Sequence, residues 1–484
     1  MDLTAFLRHC TTSYGTVCKF WFGTRPWVLI SDPELVRKLA NRWAARPPDF
    51  PEFMHVMTGE NRAIDQVGII AAEGEGWRKA RRVFEASIIH PDSLAAHVPA
   101  IAASLDRFMP LLDRHAASGE PLEIGSRLQD LFLGMTGQIG YGVDFGLARH
   151  DGSGEGGPPA SGAALVEAAR DTLATMRMEN ATAYLPLQLM FPALAPAIRL
   201  LAHHLPDAKQ ARAMRARSRV AAVSRQLMEA WRAEREGEEG EAGGFTQVGG
   251  GIAGSSFMAA MMEGRRGGRE ENRLTELEVI SQGFTFIAAG YETTAAVVSA
   301  CLYLLAQNPE AQDRLAAELD SVLGDRPLTA ELLGQLPYTE ACFREALRIH
   351  TSVTFLVRHL REDLDVGGGR VVPKNSIVAL ATHALQHDES QWPEPERFLP
   401  ERFLPEGGGK LGPTHPAAWA PFGMGPRMCV GHKLAMVMSK ATLAALLRRH
   451  CVRLAPQQGP LRMRTGLTYG PDAVWLDVAP RKRA

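Results

Sequence analysis

Between Thr275 and Gln307, apolar residues recur at Leu277, Ile280, Phe284, Ile287, Tyr291, Ala295, Val298, Leu302 and Leu305, three or four positions apart throughout. That spacing predicts one helix over 275–307, ended by Pro309. At 1.5 Å per residue it would run on the order of 50 Å, the width of a large domain. Its 285–306 portion approaches the about 20 apolar residues that cross a bilayer. Glu292 would be expensive in lipid, and the apolar groups form a stripe instead of covering every side. The helix is therefore read as the buried centre of a helical body.

The chain has 484 residues, 45% of them hydrophobic, enough for a large core; size alone would divide it into two or three domains. Its 53 basic and 54 acidic residues nearly cancel, which leaves no electrostatic case for nucleic acid. Six scattered cysteines, Cys10, Cys18, Cys301, Cys342, Cys429 and Cys451, form no disulfide framework. The stretch from Met1 to His9 is too short and too charged for a signal peptide or an anchor, so a soluble or peripherally bound chain, not a secreted one, is expected.

Val17–Phe22 and Trp27–Ile30 read as two strands about a turn, with Cys18, Phe20 and Phe22 alternating. Asp32-Pro33 is a helix start, the carboxylate capping first-turn N–H groups ahead of Glu34–Ala40. Arg46–Pro51 is irregular. The glycine-rich stretches 151–162 and 237–256 are expected to be flexible exposed loops. Leu185–Pro196 is unusually apolar for a proline-broken connector; it is either a surface that meets lipid or lines an entrance, or a loop packed on the core. Helices are expected to dominate up to a strand-like Leu467–Val478, and no internal repeat appears.

The chemistry concentrates in Phe422-Gly-Met-Gly-Pro-Arg427-Met-Cys429-Val-Gly431. Its glycines permit unusual dihedrals and close approach to a flat ligand. Cys429 precedes a helix beginning near His432, whose N–H groups and dipole favour a thiolate, hence an iron ligand or a nucleophile. Cys429 and His432 also have the gap of a zinc-ligand pair, though no second pair of matching spacing follows. Within the long helix, Ala289-Gly290-Tyr291-Glu292-Thr293-Thr294 sets an acid and two hydroxyls beside a glycine that costs roughly 1 kcal/mol there. This is either a core kink or a niche for water or oxygen. Glu345 and Arg348 lie one turn apart on a helix starting at Pro337, an ordinary pair in isolation. Trp77 and Arg81, spaced i,i+4, share a helix face.

These strings resemble those of the haem-thiolate monooxygenases, the cytochrome P-450 family. Phe-x-x-Gly-x-Arg-x-Cys-x-Gly is similar to the family's haem-binding loop, with Phe422, Gly425, Arg427, Cys429 and Gly431 in register. The 289–294 string resembles the oxygen-activation segment, Thr293 matching its threonine and Glu292 the acid of its proton relay. Glu345-x-x-Arg348 resembles the family's buried structural pair, joined by a downstream arginine. Of the two Pro-Glu-Arg-Phe copies the second fits that place, so Arg402 is assigned, not Arg397. Trp77 and Arg81 match residues that hold a haem propionate, and Arg358 matches an arginine of the same role, with Arg361 close by.

The resemblance covers nearly the whole chain and implies a single catalytic domain over 1–484, mainly α, with a large helical region and a smaller β-rich one. It implies haem b (iron protoporphyrin IX) between the long helix and the cysteine loop, with Cys429 as the metal ligand. Trp77, Arg81, Arg358, Phe422, Arg427 and Gly431 are the implied cofactor contacts, and Glu292 and Thr293 the catalytic residues. The implied reaction inserts one atom of dioxygen into a lipophilic small molecule, using electrons from NAD(P)H delivered by a flavin reductase or a ferredoxin. A lyase or isomerase acting on hydroperoxides without external electrons stands as the alternative.

Substrate contacts are implied at 51–70, 288–293, 351–357 and near Leu467, and electron entry beside Arg78, Lys79, Arg82, Lys433 and Lys440. A monomer is expected, with peripheral contact at an endoplasmic reticulum or plastid membrane compatible with the chain. The sequence departs from the family pattern in lacking a proline pair within His350–Val357, in Asn375 where a glycine is usual, and in Met438 where glutamate is frequent.

Overall fold

The computed structural model of the protein describes residues 3–42, 56, 62–145, 147, 160–175, 180–236, 246–247, 256–263, 273–466 and 468–481. Strands β1 (Val17–Phe22) and β2 (Arg25–Ile30) pair antiparallel, Cys18 opposite Leu29 and Phe20 opposite Trp27, with Cys18 and Phe20 buried as their alternation requires. Two further strands complete the sheet: β3 (Leu356–His359) and β4 (Ile377–Leu380), in the order β1-β2-β4-β3, with β2 and β4 parallel. Both lie well before 467, in the stretch where helices dominate as expected, and they are short strands that the sequence pattern did not single out. The hairpin of β5 (Met463–Thr465) and β6 (Tyr469–Pro471) forms a separate ladder. At the turn before β4, Asn375 takes φ 66°, a left-handed conformation that asparagine tolerates better than other side chains, which explains how it stands in for glycine.

Helices make up most of the molecule. Those that frame the site are α1 (Leu3–Tyr14), α2 (Pro33–Arg42), α3 (Arg62–Val67), α4 (Gly74–Phe84), α5 (Pro91–Ser118), α6 (Ile124–Tyr141), α7 (Glu276–Gly290), α8 (Glu292–Gln307), α9 (Pro337–Ile349) and α10 (His432–Leu447). Asp32 Oδ1 accepts the Leu35 N–H at 2.8 Å and so starts α2. The predicted long helix is two, α7 and α8, meeting at Tyr291 with φ −104° and ψ −48°. Thr293 Oγ1 donates to the Ala289 carbonyl at 2.8 Å and Thr294 Oγ1 to Gly290 at 3.2 Å, back-bonds that compete with the backbone ladder where it breaks.

The run Glu276–Gln307 is long and apolar enough to cross a membrane by length and composition, but 72% of its most apolar window is buried within the protein. Helices α5 to α10 supply most of the largest core cluster around it. α6 crosses α7 closely, because a Cβ on Gly283 would stand 2.5 Å from Tyr141 Oη and one on Gly140 2.8 Å from Phe286.

Several expected irregular stretches are partly ordered. Residues 160–162 begin the helix Ala160–Thr175, and Thr246–Gln247 pairs with Val143–Asp144 as short strands; the rest of 151–159 and 237–255, with 46–51 and Leu467, lies outside the described residues. The apolar connector is helical over Tyr184–Met190 and again over Ala195–His204. Leu187, Met190, Phe191 and Leu194 on it are exposed, as are Leu200 and Leu201 beyond it, while Leu185, Gln188 and Ala195 are buried, so the connector is anchored at a few positions and otherwise presents apolar surface.

Below β4, the rings of His383 and His387 stack at 4.1 Å, and His383 meets Tyr469 edge-on at 5.9 Å. Burial pushes His387 down to about 3 and His350 down to about 4, and holds His383 well below the usual histidine value. All three are neutral in the fold. Because their folded values lie below the unfolded one, their contribution is intact above pH 6.5 and is lost as pH falls towards the folded values. Thermal unfolding is expected to drop steadily between pH 7 and pH 5, and His387→Asn to flatten that dependence; an equal slope in the variant would contradict it.

Candidate active site

Cys429 is delivered by a loop whose geometry comes from its own backbone. Its N–H donates to the Phe422 carbonyl at 2.8 Å, closing the loop, and Met428 N–H donates to Gly425. Gly425 has φ 71°, and a Cβ there would fall 1.8 Å from the Ala40 carbonyl at the end of α2. The glycine thus permits contact between the loop and a protein helix, where the sequence suggested closeness to a flat ligand.

The backbone N–H of Gly431, the residue just before α10, acts on the Cys429 sulfur and draws its pKa down. Surrounding protein nevertheless pushes the thiol up, opposed by that N–H and by Arg81, so the helix start alone does not make a thiolate. A bound cation would supply the missing charge, since a coordinating thiol is deprotonated outright. Cys429 is solvent-accessible although its loop is well packed, which means that the side chain faces a cleft. His432 turns Nδ1 to the Cys429 carbonyl at 2.9 Å, away from a shared metal with the sulfur. Among the described residues no group of three or more His, Cys, Asp or Glu could hold a metal ion, so the zinc reading finds no ligand set.

Cations gather around the same loop. Arg427 is buried, lies 4.5 Å over the Trp77 ring, and donates to the carbonyls of Ile69 at 3.1 Å and Ala72 at 2.6 Å. Arg358 on β3 is buried as well. Among the described residues its one side-chain hydrogen bond goes to the Val357 carbonyl, and burial, then the nearby Arg427, push it down to about 10. A buried guanidinium destabilised in this way calls for an anionic partner. Arg361, by contrast, is exposed and paired with Glu73 at 2.7 Å. Arg81 donates Nη1 to the Met428 carbonyl at 2.6 Å and Nε to Glu85 at 2.6 Å, so it ties α4 to the cysteine loop. A thiol facing a cleft, an indole and a buried arginine without a carboxylate partner suit a flat metal-bearing ring that carries carboxylates.

At the break between α7 and α8, Ala289 is exposed although its helix is otherwise largely buried. Gly290 instead faces α6, where a Cβ would meet Thr136 at 3.2 Å. Glu292 lines a polar cavity of about 50 Å³ with Gln129, Ser299, Arg464, Thr465 and Asp472, between α6, α8 and the β5–β6 hairpin. Thr293 and Glu292 are thus neighbours at the helix break, Thr293 back-bonded to Ala289 and Glu292 on that cavity.

The loop's support is an ion cluster that is 0% exposed. Arg348 forks onto Glu345 at 2.8 and 2.9 Å, and Arg402 Nε reaches the same carboxylate at 3.0 Å. Arg397 pairs with exposed Glu394 instead. Arg344 lies 4.6 Å over Phe403 and 4.5 Å over Trp419, and Trp419 meets Phe422 edge-on at 6.3 Å, so the segment fixed by Arg402 is coupled to the cysteine loop. Sequence reasoning missed the bonds from Ser281 and Gln282 to 64–69 and the pair of Lys79 with Glu278, joined at 3.0 Å.

The family described as Cytochrome P450 matches residues 1–473. Among curated proteins, the chain is 38% identical to cytochrome P450 4V2 of Mus musculus over 44% of this chain and 40% of that protein, and 33% identical to cytochrome P450 3A2 of Rattus norvegicus over 46% and 45%. These two matches span less than half of each relative's length. Cytochrome P450 3A5 of Homo sapiens is 27% identical over 99% of this chain and 88% of that protein. The chain belongs to the cytochrome P450 family, whose cofactor is haem b.

Proposed function

We propose that the protein is a haem-dependent monooxygenase that inserts one atom of dioxygen into a lipophilic substrate and takes electrons from NAD(P)H through a reductase or ferredoxin. The observation that carries the reading is Cys429, solvent-accessible in a loop that also holds Arg427, with the buried Arg358, which has no carboxylate partner among the described residues, close to that arginine. Bound haem supplies the redox-active iron at which dioxygen is activated.

Cys429 would hold the metal, and the Gly431 N–H at its sulfur would moderate the charge donated. Arg358 would neutralise a propionate, Trp77 and Arg427 would flank the ring, and Arg81 would keep the loop in place. Thr293 would hold or move a proton at its hydroxyl and Glu292 would exchange protons with solvent through its polar cavity. Phe422 would limit water at the sulfur side. Substrate-dependent NADPH oxidation with a reductase, set against hydroperoxide rearrangement without one, tests this reading: turnover only in the second assay would move the protein to the lyase or isomerase alternative.

The electron-entry surface is narrower than the sequence suggested. Lys440 is buried and bonded to Glu340 at 2.8 Å, Lys79 is held by Glu278, and Arg78 and Arg82 share Glu75. Lys433 is exposed on α10 beside the loop. Lys433→Glu is expected to slow reduction by an acidic partner several-fold at low salt, with the difference fading as salt rises and substrate affinity unaltered; a salt-independent change would reject this surface. The exposed apolar side chains of 187–201 suit contact with lipid. They are joined to the first hairpin by the Thr24 N–H, which donates to the Leu189 carbonyl at 3.4 Å.

A further inference from the structure

Gln282 on α7 is fully buried, a costly place for an amide unless both of its ends are matched. Both are: Oε1 accepts the Ile69 N–H at 2.9 Å, and Nε2 donates to the Val67 carbonyl at 2.8 Å. The amide orientation is forced, since one partner can only donate and the other only accept. The adjacent Ser281 donates Oγ to the Ile64 carbonyl at 2.6 Å. Two neighbouring side chains therefore hold the backbone of 64–69 in one register, more than 210 residues away in sequence.

The far side of the same segment is held from the cysteine loop, where Arg427 takes the carbonyls of Ile69 and Ala72. Ile69 is thus gripped through its N–H by the long helix and through its C=O by the loop that carries Cys429. The segment therefore bridges α7 and the loop that carries Cys429. A leucine at 282 would fill the same space; only the amide fixes the register of 64–69 against α7.

We infer that Gln282 is a positioning residue that fixes the 64–72 segment between α7 and the cysteine loop and thereby sets which ligand shapes reach the sulfur-bound centre. This rests on the haem reading above only for its second half. The fixed segment can be tested in the protein without reference to haem. Gln282→Leu is expected to speed amide hydrogen exchange across 62–72 by on the order of tenfold, the weight of about one hydrogen bond, while peptides of 337–349 stay unchanged. In haem-loaded protein, optical titration with imidazole and with the bulky azole clotrimazole should show the bulky ligand's Kd shifting on the order of tenfold and imidazole's by less than about twofold.

Exchange equal to wild type, or equal shifts for both azoles, would overturn the inference. Should Gln282→Leu fail to fold, Gln282→Asn, one methylene shorter, must show the same ordering of effects. Protein that binds no haem, yet shows the faster exchange, would instead sink the haem reading and leave the clamp standing.

Discussion

Replacing Cys429 by serine is expected to abolish the strongly red-shifted Soret band of the reduced, carbon-monoxide-treated protein, and to cut oxygenase turnover by more than about 100-fold, beyond the loss seen for outer-shell partners of a metal site. The physical basis is specific. Cys429 is solvent-accessible and the Gly431 N–H favours its thiolate, whereas Cys10, Cys18, Cys301 and Cys342 are buried and Cys451 bonds to Ala479 on the far strand pair. Serine keeps the loop's size and its backbone bond to Phe422, so folding should survive. A soft thiolate donor is lost, and a hydroxyl does not replace its electron donation to iron. An unchanged spectrum in Cys429→Ser would remove the basis for every assignment around the cleft.

How legible such a centre is in sequence depends on the range of the contacts that build it. Phe422, Gly425, Arg427, Cys429 and Gly431 sit within one loop, so their spacing records the geometry directly. Arg402 could be told from Arg397 only because, of the two copies of a repeated string, the second fits the place that the family resemblance gives the third member of the cluster. Contacts made across hundreds of residues leave no such record: nothing local distinguishes Gln282 from a polar residue on a solvated face, or Lys79 from a surface lysine, until α3 and α4 are packed against α7.

Strands β3 and β4 were missed for a related reason, since a four-residue apolar run is defined by the neighbours it pairs with and not by its own period. The break at Tyr291 was visible as a polar interruption, but its direction was not. Gly290 turns to α6, while Ala289 is exposed.

Glu345→Ala is expected to destabilise the fold by about 3–5 kcal/mol, the cost of removing one partner from a buried ion cluster. The deletion strands two guanidiniums at once. Arg348 also donates to the carbonyls of Gln386 at 2.9 Å and Pro395 at 2.7 Å, and Arg402 to those of Leu411 and Glu394, both at 2.7 Å, so neither can swing out to water without abandoning the backbone of 386–411. That backbone leads through Phe403, Arg344 and Trp419 to Phe422. Loss of the carboxylate should therefore appear as poor haem retention as well as a lower denaturant midpoint. Arg402→Lys, which keeps the charge but loses the fork onto three acceptors, should fall between wild type and Glu345→Ala. Arg397→Ala, which removes only an exposed pair, should leave both readouts near wild type. If Arg397→Ala proved as damaging as Arg402→Lys, the second Pro-Glu-Arg-Phe copy would not be the one that anchors the cysteine loop.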